Sequence, residues 1–320
     1  MKACVDLGGT KIAVSLALDA VADDVRTPPA LKAHRTEPTA KTGDHGAVVQ
    51  QILRMLDAAC AELGVPTSQI DAIGVSSCGP FILNKGLIEL AAPNICGGLA
   101  GPARGLPNDW NSALLEAPLR ERFGNTRLRI ENDGIGALEA ERRWGALQGL
   151  DHCGYVTWST GIGCGLCVDG HVLRGKHGNA GHAGHMFVID NNEALCGCGN
   201  RGDVEGLIAG NALARRFASQ GFEDAEKLMD AAAAGDAKAV AIVDELCRIM
   251  GRALYNLAAI MDLQRISMGG SVFWHNRDYL LPRLTANFRG KLPALTDGFD
   301  VVPAGLGEKV GDLAALALLS

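Results

Sequence analysis

The chain has 320 residues, 48% of them hydrophobic, which is enough for a large buried core and favours two domains over one. A formal net charge of −6 leaves no broad basic surface, so nucleic acid and anionic membranes are poor partners and small molecules better ones. No stretch approaches the roughly 20 apolar residues of a membrane-spanning helix. The opening MKACVDLGGT reads as a strand and not as a signal peptide. Ten cysteines lie mostly inside apolar runs and suit reduced thiols, so a cytoplasmic protein is expected.

In chain order, Lys2 to Leu7 predicts a strand, Gly8-Gly9-Thr10 a turn and Ile12 to Leu18 a second strand, together a hairpin. Val48, Val49, Ile52, Met55, Leu56, Ala59 and Leu63 recur at helical spacing, and Asp71 to Ser76 reads as a buried strand. A Gly- and Pro-rich connection, Pro93 to Pro107, leads to an expected helix near Ser112 to Arg122, a strand Arg127 to Glu131 and a helix Ile135 to Leu147. Cys153 to Ser159 and Cys164 to Asp169 flank the turn Thr160-Gly161-Ile162-Gly163, repeating the N-terminal layout. In 236–261, Val240, Val243, Cys247, Met250, Leu254, Leu257 and Met261 mark one core-facing helix face. Arg265 to Met268 predicts a strand ending in Gly269-Gly270, and Gly311 to Leu319 a last helix.

Strands alternating with helices give an α/β class. The repeated strand–glycine turn–strand units predict two related halves around a shared cleft, where a ligand would lie. The expected division is an N-terminal α/β domain, 1–131, with the C-terminal helix of 307–320 packing back on it, and a larger α/β domain, 132–306.

DLGGTK, Asp6 to Lys11, is the first chemical signal. Backbone N–H groups beside Gly8 and Gly9 can wrap phosphate oxygens, Thr10 and Lys11 add polar groups, and Asp6 can hold water or Mg²⁺. An ordinary hairpin turn would have the same composition. STGIG, Ser159 to Gly163, repeats it in the second half with Thr160 and Gly161, and ISMGGSV offers a flat Gly269-Gly270 backbone to a base and ribose. In IENDGIGALEAE, Asn132 and Asp133 stand between a strand and a helix. An acid there can take the proton of a hydroxyl attacking phosphorus, or either residue can simply cap the helix. Glu139 and Glu141 are expected on the solvated surface. Residues 181–205, GHAGHMFVIDNNEALCGCGNRGDVE, concentrate His182, His185, Cys196, Cys198, Asp203 and Glu205 in a glycine-broken stretch.

Together these residues resemble the ROK family (repressors, uncharacterised reading frames and sugar kinases) of the actin-like ATPase and sugar kinase superfamily, from DLGGTK to GGSV. The resemblance implies a two-domain actin-like ATPase (ribonuclease H-like) fold. It implies an ATP- and Mg²⁺-dependent kinase that phosphorylates a hexose or hexose derivative on a primary hydroxyl. It makes Asp133 the general base, Asn132 a sugar contact, and Asp6 to Lys11, Thr160, Gly161, Gly269 and Gly270 the nucleotide-binding residues. Asn94, in the AAPNI segment, and Gly79 become further sugar-side candidates.

The family's stretch following the second glycine turn usually reads Ala-Gly-Glu-x-Gly-His, then Cys-x-Cys-Gly-x-x-Gly-Cys and a Glu two residues on. The His and three Cys bind structural zinc. Here His185, Cys196 and Cys198 match three ligands, and His185 also lies in the substrate-binding stretch. Glu205 matches the sugar-binding acid. Asp203 stands where the third cysteine belongs and His182 where the first sugar-binding glutamate belongs. A carboxylate oxygen can complete a tetrahedral zinc site; a zinc-free knuckle with ordinary thiols is the alternative. Neutral imidazole offers one donor and one acceptor where glutamate offers only acceptors, so an amino sugar or a sugar acid becomes an alternative substrate. A homodimer, and polyphosphate as alternative donor, follow from the resemblance too. The family's repressors carry a helix-turn-helix ahead of the first glycine motif; only five residues precede Asp6 here, so DNA binding is not expected.

Overall fold

The expected first hairpin is formed by β1 (Lys2–Leu7) and β2 (Lys11–Ala17), paired antiparallel with Leu7 opposite Ile12. The computed structural model describes residues 1–18, 27–190 and 193–319; Ser320 lies outside the described residues. Contacts within the chain divide it into two units, Met1–Trp144 with Arg174–Ala180 and Lys309–Ser320, and Gly145–Leu173 with Gly181–Glu308. The helix that follows Asn132 therefore belongs to the first unit, whereas the sequence-based boundary after 131 cuts in front of it.

In the first unit, β3 (Leu31–Pro38) pairs with β2, while β4 (Ala72–Ser77) and β8 (Arg127–Asn132) extend the sheet in parallel from β1, in the order β3-β2-β1-β4-β8. Every residue of β4 is buried, as a strand with parallel neighbours on both sides and covered on both faces requires. Helix α1 (Ala47–Glu62) buries Val48, Val49, Ile52, Met55, Leu56 and Ala59, the stripe read from the sequence. A small sheet of β5 (Phe81–Asn84), β6 (Leu87–Leu90) and β7 (Ala113–Leu114) precedes α2 (Glu116–Phe123). The expected helix from Ser112 thus starts four residues late, its first residues being drawn into pairing with β6. Helix α3 (Asp133–Trp144) follows β8 directly, and the last helix, Val310–Ala317, packs on α3, β1 and β4. A Cβ on Gly74 of β4 would lie 2.0 Å from the carbonyl oxygen of Ala315, so only glycine lets this helix sit so close.

The second unit repeats the plan. β9 (Cys153–Trp158) and β10 (Ile162–Val168) form the second hairpin, β11 (His171–Val172) adds to its edge, and β12 (Arg265–Gly269) and β13 (Asp300–Pro303) follow in parallel: β11-β10-β9-β12-β13. One antiparallel hairpin extended by two parallel strands in each unit is the duplication the sequence implied. The short α4 (Val204–Ile208), α5 (Gly210–Phe217) and α6 (Ala225–Ala233) lead to the long α7 (Ala237–Met261). Asp236 caps α7 by accepting from the Ala239 N–H at 2.8 Å, and the helix buries Val243, Cys247, Met250, Leu254 and Leu257. α8 (Ser271–His275), α9 (Arg277–Ala286) and α10 (Pro293–Thr296) complete the unit, and the terminal helix is α11. The ten cysteines are free thiols, most of them buried. No described helix is long and apolar enough to cross a membrane. Glu141, expected at the surface, is instead fully buried on α3.

Candidate active site and metal centre

In the first unit, Asp6 near the end of β1 and Asn132-Asp133 after β8 emerge at the carboxyl ends of parallel strands with β4 between them. Two strand spacings put their backbones about 10 Å apart, so their short polar side chains border one place beyond the end of β4, where open α/β sheets take ligands. Burial pushes the Asp6 carboxyl up to about 7, with the Asp133 charge adding to the rise, Lys11 opposing it and Asp312 adding again. A Cβ on Gly311 would stand 3.5 Å from Asp6 Oδ2, so the first turn of α11 borders this acid. Neither Gly311 nor Asp312 was singled out from the sequence; a lone acid opening an apolar helix reads as surface. Burial, then Asp133 and Asp6, also lift the Cys78 thiol well above its usual range, which places a protonated sulfur beside the two acids.

The Gly134 N–H is shared by Asn132 Oδ1 at 3.0 Å and Asp133 Oδ1 at 2.8 Å. Both residues therefore cap α3, and the helix N-terminus favours a negative charge on Asp133. Asn132 is buried, and its amide nitrogen lies 3.4 Å from the Ser77 carbonyl. In the glycine turn, the Gly8 N–H donates to the Lys11 carbonyl at 2.9 Å and Thr39 Oγ1 to the Gly8 carbonyl at 2.8 Å, leaving Thr10 and Lys11 exposed. A Cβ on Gly9 would fall 1.9 Å from Asn94 Nδ2, so the DLGGTK turn and the AAPNI segment touch. Gly79 follows Cys78 and is joined to Pro80 by a cis peptide bond.

In the second unit, the Ser159 N–H donates to the Gly161 carbonyl at 3.0 Å, closing the second turn with Thr160 exposed at its tip. Gly269 and Gly270 lie against β9: added Cβ atoms would sit 2.4 Å from Tyr155 Oη and 2.5 Å from the Trp158 carbonyl oxygen. Ser159 Oγ and Ser271 Oγ are 3.1 Å apart, so the second phosphate-type turn and the Gly-Gly segment meet.

Asp203, His185, Cys196 and Cys198 form a compact cluster whose four ligand atoms all lie within 4.8 Å of one another. Asp203 Oδ2 is 3.0 Å from His185 Nδ1 and 3.6 Å from Cys198 Sγ, and His185 Nδ1 is 3.6 Å from Cys198 Sγ and 3.9 Å from Cys196 Sγ. Tetrahedral zinc with bonds of about 2.0 Å to N and O and 2.3 Å to S needs ligand separations of roughly 3.3–3.8 Å; the 3.6 Å separations match, the 3.0 and 3.9 Å ones lie just outside that range, and the donor types suit the ion. Asp203 is wholly buried and its other oxygen caps α4 through the Gly206 N–H at 2.7 Å. Burial works to raise this carboxyl, but bonds from His185 and the Gly206 N–H hold it below its ordinary range, and the bond to Asp203 raises His185 against its own burial. His182 sits beside His185, ring centroids 5.9 Å apart, and its buried Nε2 has no hydrogen-bond partner among the described residues. Glu205 Oε2 accepts the Ile162 N–H at 3.0 Å, and Cys196 Sγ donates to Oε1 at 3.5 Å.

The ROK family profile matches residues 2–320. The chain belongs to the ROK family. A glucokinase of Aeropyrum pernix is 30% identical over 83% of the chain and 84% of the relative. An N-acetylmannosamine kinase of Citrobacter koseri is 32% identical over 84% and 82%. The crystal structure of a ROK hexokinase from Thermus thermophilus superposes with a TM-score of 0.73 at 31% identity, covering 98% of this chain and 96% of that one. This ROK protein thus has the actin-like ATPase fold and is an ATP-dependent sugar kinase.

Proposed function

We propose that the protein transfers the terminal phosphoryl group of ATP to a primary hydroxyl of a hexose or hexose derivative, with Asp133 as general base. The observation that carries this is the acid pair: a carboxylate at the N-terminus of α3 whose charge is felt by a second, half-buried carboxyl on β1. Asp133 takes the hydroxyl proton as that oxygen attacks phosphorus, and the helix N-terminus steadies the carboxylate before the proton arrives. Asp6 would hold Mg²⁺ through water, a role that fits a half-buried acid crowded by other acids; the cation would supply charge neutralisation on the phosphates. The Gly8–Lys11 and Ser159–Gly163 turns each offer backbone N–H groups to phosphate oxygens, and Gly269-Gly270 offers a flat backbone to the nucleoside. Asn94, Gly79 and Asn132 support the sugar side in the first unit.

In the second unit, His185, Cys196, Cys198 and Asp203 would hold a structural zinc ion that fixes the knuckle and the start of α4. His182 shapes the sugar site with a neutral imidazole: burial, then His185, holds it below its ordinary range. Its unpartnered Nε2 favours a second reading, a kinase for an amino sugar or sugar acid, and an N-acetylmannosamine kinase is among the relatives. The free thiols and acidic charge support a cytoplasmic setting, and family likeness supports a homodimer. The test is ADP release against a panel of neutral, amino and acidic sugars, with ATP and polyphosphate in parallel. Turnover on neutral hexoses supports the first reading; turnover confined to amino or acidic sugars replaces it with the second.

A further inference from the structure

Glu205 is assigned by family likeness to the sugar, yet in this chain both its oxygens have partners inside the second unit. Oε2 lies 3.0 Å from the Ile162 nitrogen, at the base of the Ser159–Gly163 turn, and Oε1 lies 3.5 Å from Cys196 Sγ in the knuckle. The fit under the turn is close: a Cβ on Gly161 would stand 3.0 Å from Oε2, and one on Gly184 3.3 Å from the Glu205 Cβ. The carboxylate itself is anchored, because Asp203 two residues earlier caps the helix that bears it.

We infer that Glu205 is a positioning residue for the second phosphate turn, so that nucleotide binding, and not sugar binding alone, depends on its carboxylate. This rests on the kinase reading for what the turn binds. A bond from a backbone N–H to a charged acceptor is stronger than a neutral one. Here it fixes Ile162, the residue at which the turn passes into β10, and so restricts the conformations of the three residues before it. A turn that must present N–H groups to phosphate loses affinity when those groups are free to rotate away, since ordering them is then charged to binding.

The experiment compares full-length wild type with Glu205→Ala, Glu205→Asp and Glu205→Gln. AMP-PNP affinity is measured by calorimetry with Mg²⁺, and KM for ATP and for sugar by coupled assay. Glu205→Ala loses the acceptor, and Glu205→Asp keeps the charge but falls one methylene short of Ile162. In each, AMP-PNP affinity should fall about tenfold or more. Glu205→Gln retains an oxygen acceptor but loses the charge, so its nucleotide affinity should fall between those of wild type and Glu205→Ala while its sugar KM rises. Should Glu205→Ala fail to fold, Glu205→Asp carries the same test. Unchanged AMP-PNP affinity in a folded Ala or Asp variant, with only the sugar KM raised, overturns the inference. Wild type that binds AMP-PNP but phosphorylates no sugar would instead defeat the kinase reading, leaving the nucleotide comparison intact.

Discussion

One carboxylate does two jobs in the knuckle: Asp203 Oδ2 lies 3.0 Å from His185 Nδ1 while Asp203 Oδ1 accepts the Gly206 N–H. A cysteine at this position could bind an ion but would be a poorer helix cap, because its sulfur accepts hydrogen bonds only weakly. Asp203→Asn keeps the cap oxygen and removes the anionic ligand. Its zinc content after purification without chelator should drop well below that of wild type, with little loss of stability in the metal-free state. Asp203→Ala loses both, and should also cost about 1 kcal/mol in the metal-free state from the missing cap. Elemental analysis with urea unfolding of stripped protein distinguishes the two; equal zinc in wild type and Asp203→Asn would remove Asp203 from the ligand set.

Asp6 makes stability depend on pH. Its carboxyl is raised from 3.8 to about 7 in the folded chain, chiefly by burial. The unfolded chain therefore gives up this proton first. Stability associated with the group is full below about pH 4, falls as pH rises towards 7 and is lost above it, a span on the order of 4 kcal/mol. Without nucleotide or divalent ion, Asp6→Asn should unfold at higher urea than wild type at pH 8, with the gap narrowing at pH 5. A gap that does not change with pH would mean that Asp6 is not perturbed in this way.

Gly74 tests the packing rather than the chemistry. Gly74→Ala forces a methyl group to within 2.0 Å of the Ala315 carbonyl oxygen unless α11 moves. A loss of roughly 2–4 kcal/mol is expected from overpacking against backbone, read as a lower urea midpoint. Stability equal to wild type would mean that the helix shifts freely on its sheet.

His182→Glu replaces imidazole by a group that only accepts. If His182 sets the sugar preference, kcat/KM for glucose relative to an N-acetylated amino sugar should rise by about tenfold. An unchanged ratio in the same two-substrate assay would leave His182 as a packed turn residue.

Much of this was legible in the sequence because the signals were periodic or compositional. The helical stripe from Val48 to Ala59 and the two glycine-broken hairpins are local patterns, and each formed where the spacing put it. The His185–Asp203 cluster was legible for another reason: its four residues lie within one short stretch of chain. Edge elements were harder. β3 carries Lys32, His34, Arg35 and Glu37 among few apolar residues, since an edge strand needs charge more than burial, and its sequence gives no strand signal of the usual kind. The hairpin of β5 and β6 had a signal that was passed over, Asn84-Lys85-Gly86, where Lys85 and Gly86 both take positive φ. Glu141 could not be placed from sequence alone, because α3 is packed against α11, which arrives from the far end of the chain. The charge of Asp312 acting on Asp6 is hidden for the same reason.

The central claim is that Asp133 takes the proton from a sugar hydroxyl during phosphoryl transfer, and the direct measurement is kcat of Asp133→Ala beside wild type on the best substrate of the panel, with sugar affinity measured by calorimetry on both. The account predicts a kcat at least about 100-fold lower with sugar affinity within about threefold. Turnover by Asp133→Ala at the wild-type rate would contradict it.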